Sequence, residues 1–140
     1  MTAGLCLIDT DILSYILKGI EPVYQQSRDY FKKQERFIVS CITYYECLRG
    51  YHAVGATKYL RLFEDILVIT DVLYLDRGIL RKAAEIYGIF KKKGLLPGEL
   101  DIFIAATAIV HDLTLITNNE KHYKAFCDYF PLKIENWMRK

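Results

Sequence analysis

Four stretches of this chain place an oxygen-bearing side chain at the end of, or inside, a run of residues built to be buried. "CLIDTD" runs from Cys6, Leu7 and Ile8 straight into Asp9 and Asp11, and "ITYYECL" carries Glu46 among apolar neighbours. "ELDIFIAATA" sets Asp101 at the head of a strongly apolar segment, and "LTLITNN" ends on Thr117, Asn118 and Asn119. Asp9 and Asp101 each have an ordinary reading, because an acid after a strand caps the next helix and an acid in a first turn suits the helix dipole. Glu46 resists one: an unpaired charge in the middle of an apolar helix is costly. Carboxylates brought together repel, and burial raises their pKa further, unless a cation neutralises them. With oxygen donors and no His or Cys expected nearby, the matching ion is hard, Mg²⁺ or Mn²⁺. The chemistry such a centre supports is hydrolysis of a phosphodiester by a metal-activated water.

The elements that would bring these groups together can be read from pattern. Leu5–Ile8, "RFIVS", "LVITDVLYLD", "LTLIT" and "LKIENW" read as short strands or extended structure. Between them lie helical stretches. "TDILSYILKG" closes on Gly19, "PVYQQSRDYFKKQ" opens at Pro22, and "CITYYECLRGYH" is capped by Ser40. "GATKYLRLFEDI" and "NNEKHYKAF" complete the shorter ones. "DRGILRKAAEIYGIFKKKG" repeats apolar residues at helical spacing through Ile79, Ala83, Ile86 and Phe90, with Lys91, Lys92 and Lys93 suiting its last turn and Gly94 its stop. "ELDIFIAATAIVHD" is apolar on nearly every side and is expected between layers. Strands alternating with helices predict an α/β fold with a mostly parallel sheet covered on both faces. In such sheets ligands gather at the carboxyl ends of the strands. Asp9, Glu46, Asp101 and the Asn pair are all expected at that rim.

Composition bounds the alternatives. A chain of 140 residues, 52% hydrophobic and 26% charged, is expected to be one globular domain spanning 1–140. Its apolar runs are too short to span a bilayer, which needs about 20 residues, and two early Asp do not suit a signal peptide. Cys6, Cys41, Cys47 and Cys127 show no metal or disulfide spacing and are expected as free thiols. A cytoplasmic protein follows. The net charge of +2 carries no strong pointer to a partner. Arg49, Lys91, Lys92, Lys93 and Lys121 are read first as solvated, and Glu120 as a surface acid.

Taken in order, "CLIDTDILSYIL", "FIVSCITYYECLRG", "ELDIFIAATAIVHDLTLITNNEKHY" and the closing "LKIENW" resemble the PIN-domain endoribonucleases of the VapC toxin type. The resemblance covers the length of the domain. It implies a PIN-like, Rossmann-like three-layer α/β/α sandwich with four to five strands and a Mg²⁺-dependent RNA-cleaving site in which Mn²⁺ substitutes. It carries the catalytic acids onto Asp9, Glu46 and Asp101, with Asp9 and Asp101 as metal ligands, and the fourth position onto Asn119. A neutral amide there favours one ion over two. Thr10, Asp11 and Thr117 are given supporting roles around the ligands. The implied partners are an RNA substrate, with tRNA favoured, a VapB-type antitoxin and a second copy of the chain. Tyr24, Tyr30, Tyr44, Tyr45 and Tyr51 are candidates for a partner surface.

The residues admit two other functions. "LIDTDIL" also fits a haloacid-dehalogenase-type phosphatase with Asp9 as nucleophile, but the chain lacks the later Asp pair that chemistry wants. A PIN-like interaction module without activity is the other, against which stand isolated acids kept in apolar segments.

Overall fold

In the computed structural model, which describes residues 4–139, five short strands are built from the apolar runs. They are β1 (Cys6–Ile8), β2 (Phe37–Ser40), β3 (Thr70–Leu73), β4 (Thr114–Ile116) and β5 (Ile134–Glu135). The outermost residues of the expected 1–140 domain lie outside this description. Every pairing is parallel: β1 with β4, β4 with β5, and β2 with β3. β2 lies beside β1 without a hydrogen-bonded ladder, so the strands run β3-β2-β1-β4-β5 across the middle of the molecule. Parallel strands need crossovers, and the helices supply them.

Helices α1 (Thr10–Lys18), α2 (Val23–Gln34), α3 (Cys41–Ala53) and α4 (Thr57–Leu67) alternate with β1 to β3. Then come α5 (Arg77–Lys93), α6 (Glu99–Val110) and α7 (Glu120–Tyr129). Two separate apolar clusters line the two faces of the sheet. One joins Ile12, Leu13, Tyr30, Phe63 and Trp137 around Ile8. The other joins Ile79, Ile86, Phe90, Ile104 and Phe126 around Leu7 and Leu115. Adjacent residues Leu7 and Ile8 belong to opposite clusters because side chains alternate along a strand. That is the three-layer sandwich.

Local chemistry starts and stops the helices where the sequence suggests. Ser40 Oγ accepts the Ile42 N–H at 3.0 Å, and Gly19 and Gly94 close α1 and α5 in the left-handed conformation at φ 69° and 68°. α6 buries Ile102, Ile104, Ala105, Ala106, Thr107 and Ala108, so it is enclosed as its apolar surface demands. Several boundaries move by a few residues. The helix expected to open at Pro22 begins at Val23, with Pro22 as its cap. The extended stretch expected over "LVITDVLYLD" shortens to Thr70–Leu73, because α4 runs through Leu67 and Val68 closes it against Asp65 and Ile66 carbonyls. Tyr30 and Tyr51 are core residues rather than partner surface, whereas Tyr24 and Tyr45 are exposed. Cys41, Cys47 and Cys127 are free thiols.

Candidate metal centre at the carboxyl edge of the sheet

The site begins where β1 and β4 end side by side. The register pairs Ile8 with Ile116, and the Asp9 N–H extends it by donating to the Ile116 carbonyl at 2.9 Å. Asp9 and Thr117 therefore leave adjacent strands at the same level. The Asp9 carboxylate accepts the Thr10 N–H at 2.8 Å and the Thr117 hydroxyl at 2.8 Å. It is only 5% exposed. Burial first, then the negative charge of Asp11 and, further off, that of Asp101, push its pKa up to about 7. Among the described residues no Lys or Arg is paired with it. A buried acid that feels two others and no cation is a place where a divalent ion would be stabilised.

Asp11 ties the first helix to the loop after β4. One oxygen accepts the Ile12 N–H at 2.7 Å and the other accepts the Asn118 N–H at 3.1 Å, while burial raises its pKa. Thr117 is a relay. Its hydroxyl oxygen accepts the Asn119 N–H at 3.0 Å while its hydrogen goes to Asp9. Thr10 serves Glu46 in the same way, donating to its Oε1 at 2.7 Å and standing 3.1 Å from the Thr43 hydroxyl. Glu46 also has the Arg49 guanidinium 3.7 Å from its other oxygen. Thr10, Asp11 and Thr117 thus each make specific side-chain hydrogen bonds at this rim.

Asp101 stands in the first turn of α6 and faces the first turn of α7. His122 Nε2 meets its Oδ2, and the Tyr123 hydroxyl lies 3.3 Å from its Oδ1. The expectation that no histidine stands near the acids is therefore wrong. His122 is remote in sequence from all three acids, and the docking of α7 against α6 brings it in. Tyr123 was also missed. It is 1% exposed, and burial together with the charges of Asp9, Asp101 and Glu46 drives its pKa far up, so it stays a protonated donor. The charges of all three acids thus reach this one hydroxyl.

The three acids do not form a closed cage as they stand. Among the described residues no three acidic, thiol or imidazole groups are drawn together closely enough to hold an ion as they stand. Each acid is turned to nearby donors, with Thr10 serving two of them: Asp9 accepts from the Thr10 N–H and Thr117, Glu46 from the Thr10 hydroxyl beside Arg49, and Asp101 meets His122 and Tyr123. Asn119 presents its backbone to Thr117 and its side chain makes no cap on α7. Glu120 points away, accepting from Asn136 at 2.8 Å and Arg139 at 2.6 Å, which lower its pKa. Cys47 lies beside Glu46 in the chain but is no nucleophile or ligand in this state, since burial and the nearby acids push its thiol up to about 12. The donor set is oxygen-rich, anionic and partly enclosed, and it fits a hard divalent cation better than a soft one.

A model of the PIN domain matches residues 6–126. The chain belongs to the PIN-domain family. Among its relatives is a protein named Ribonuclease VapC1 from Methanocaldococcus jannaschii, 33% identical over 111 residues that span 76% of this chain and 79% of the relative. A Ribonuclease VapC1 from Haemophilus influenzae is 27% identical over 136 residues, 95% of this chain and 98% of that one. Among solved structures, VapBC2 from Rickettsia felis bound to a DNA fragment from its promoter superposes with a TM-score of 0.81 at 25% identity, covering 96% of this chain and 99% of that one. VapBC-1 from nontypeable Haemophilus influenzae gives 0.75 at 25% identity, over 97% of this PIN domain and 100% of the other chain. The fold expected from the sequence is the fold of these proteins.

Proposed function

We propose that this PIN domain is a metal-dependent endoribonuclease and the toxin of a type II toxin–antitoxin pair. The observation that carries the reading is the buried Asp9 carboxylate at the end of β1, raised to a pKa of about 7 by burial and by neighbouring acids. Its kinship with VapC ribonucleases supplies the substrate class. Asp9 and Asp101 would hold one Mg²⁺ or Mn²⁺, with Glu46 as the third catalytic acid and Asn119 contributing an amide oxygen at the fourth position. The ion supplies Lewis-acid activation of water and of a scissile phosphate. Thr117 and the Thr10 N–H fix the Asp9 carboxylate, Thr10 fixes Glu46, and Asp11 fixes the loop that carries Asn119. These groups set the orientation of the acids before substrate arrives, and preorganised charge is the main source of such catalysis.

The substrate is RNA, with tRNA favoured, and the working unit is a single domain over 1–140 that pairs with a second copy. A VapB-type antitoxin is the partner, in keeping with the VapBC complexes that share the fold. RNA as substrate and the free thiols of Cys41, Cys47 and Cys127 support a cytoplasmic setting. Among the described residues no helix is long and apolar enough to cross a membrane.

The test is cleavage of purified tRNA and total RNA with Mg²⁺, Mn²⁺ or chelator present, read by sequencing the new ends. Cleavage should require the ion and disappear in Asp9→Asn and Asp101→Asn. Intact RNA in the presence of tightly bound Mn²⁺ would make the domain an interaction module instead.

A further inference from the structure

Asp101 is the most exposed of the two acids read as metal ligands, with 30% of its side chain open to solvent, yet both of its oxygens are engaged from one neighbouring helix. His122 and Tyr123 are consecutive, so on a helix their side chains diverge by about 100° and straddle the carboxylate between them. Gly98 adds room beside the carboxylate. Gly98 caps α6 at φ −61°, a conformation open to any residue, but a Cβ there would stand 3.2 Å from Asp101 Oδ2. With glycine here the carboxylate keeps its place, whereas a Cβ would require it to give by a few tenths of an ångström.

We propose that His122, Tyr123 and Gly98 form a seat that positions the Asp101 carboxylate for a divalent ion. This rests on Asp101 being a metal ligand, and it adds positioning residues that the acids themselves do not reveal. A carboxylate accepts only, so His122 Nε2 carries the hydrogen and donates, as does the Tyr123 hydroxyl. Two donors leave lone pairs on both oxygens for an ion while removing the rotational freedom that an acid at an open helix end would otherwise keep. Groups that orient a ligand in this way commonly change metal affinity by about 10–100-fold.

The experiment is Mn²⁺ titration of the full chain by calorimetry and by the electron paramagnetic resonance of bound Mn²⁺, with melting of the metal-free protein to check folding. Asp101→Asn is the reference and should abolish binding. Tyr123→Phe, which removes one oxygen, and His122→Leu should each weaken Mn²⁺ by about tenfold without loss of the fold. His122→Gln keeps an N–H near the place of Nε2 and should return to within about threefold of the parent chain. Gly98→Ala should weaken the ion as well and alter the spectrum of what remains bound. Parent-like affinity in Tyr123→Phe and His122→Leu, with Asp101→Asn still unable to bind, would overturn the seat and leave the metal reading standing. Undiminished binding by Asp101→Asn, or none by the parent chain, would overturn both.

Discussion

Asp9 decides how the metal-free site responds to pH. Its carboxyl is raised from an ordinary value near 3.8 to about 7. Between those values the folded chain holds a proton that the unfolded chain has released. Stability therefore falls as pH rises through this window, the reverse of what a salt-bridged Asp does. The metal-free protein should melt at a higher temperature at pH 5 than at pH 7, and Asp9→Asn should flatten that slope, both read by thermal unfolding with chelator present. A divalent ion competes with the same proton, so Mn²⁺ should stabilise the parent chain more at pH 8 than at pH 6. An equal metal-induced rise in Tm at both pH values would mean that Asp9 does not face the ion. At this scale Asp9, Glu46 and Asp101 were legible, because each interrupts an apolar segment. His122 and Tyr123 were not. Neither belongs to such an interruption, and their contact with Asp101 depends on two helices that meet across the rim.

Whole elements deliver the acids, and the caps decide how firmly. Glu46 rides on α3, six residues beyond Ser40, whose hydroxyl is 0% exposed and caps that helix through Ile42. Ser40→Ala should destabilise the fold by about 1 kcal/mol. It should lower RNA cleavage more than it lowers Mn²⁺ binding, since Asp9 and Asp101 stand on other elements. Chemical denaturation and a titration of each variant separate these effects. Most element boundaries were readable because capping chemistry is local: a hydroxyl or glycine acts within four residues. The end of α4 and start of β3 were not, since apolar, β-branched residues from Ile66 to Val72 suit either state. Only the neighbours decide there, with Phe37 to Ser40 pairing Thr70 to Leu73 and leaving Val68 outside.

Two cores on opposite faces of one thin sheet hold the molecule together. Ile12 lies in one and Ile86 in the other, both fully buried. Ile12→Val and Ile86→Val should each cost about 0.5–1.5 kcal/mol. Because the residues belong to separate clusters, the double variant should equal the sum within about 0.5 kcal/mol, measured by denaturant unfolding. A large excess would show that the sheet transmits packing changes from face to face. From sequence alone came the alternation of elements, the enclosure of α6 and the acids at strand and helix ends, because hydrophobic period and local hydrogen bonding are written in neighbouring residues. Tertiary structure alone decided how Asp101 is held, that Glu120 turns to Asn136 and Arg139, and that Thr10 serves both Asp9 and Glu46. These are meetings of side chains distant along the chain, and their distances follow from how helices dock rather than from any local pattern.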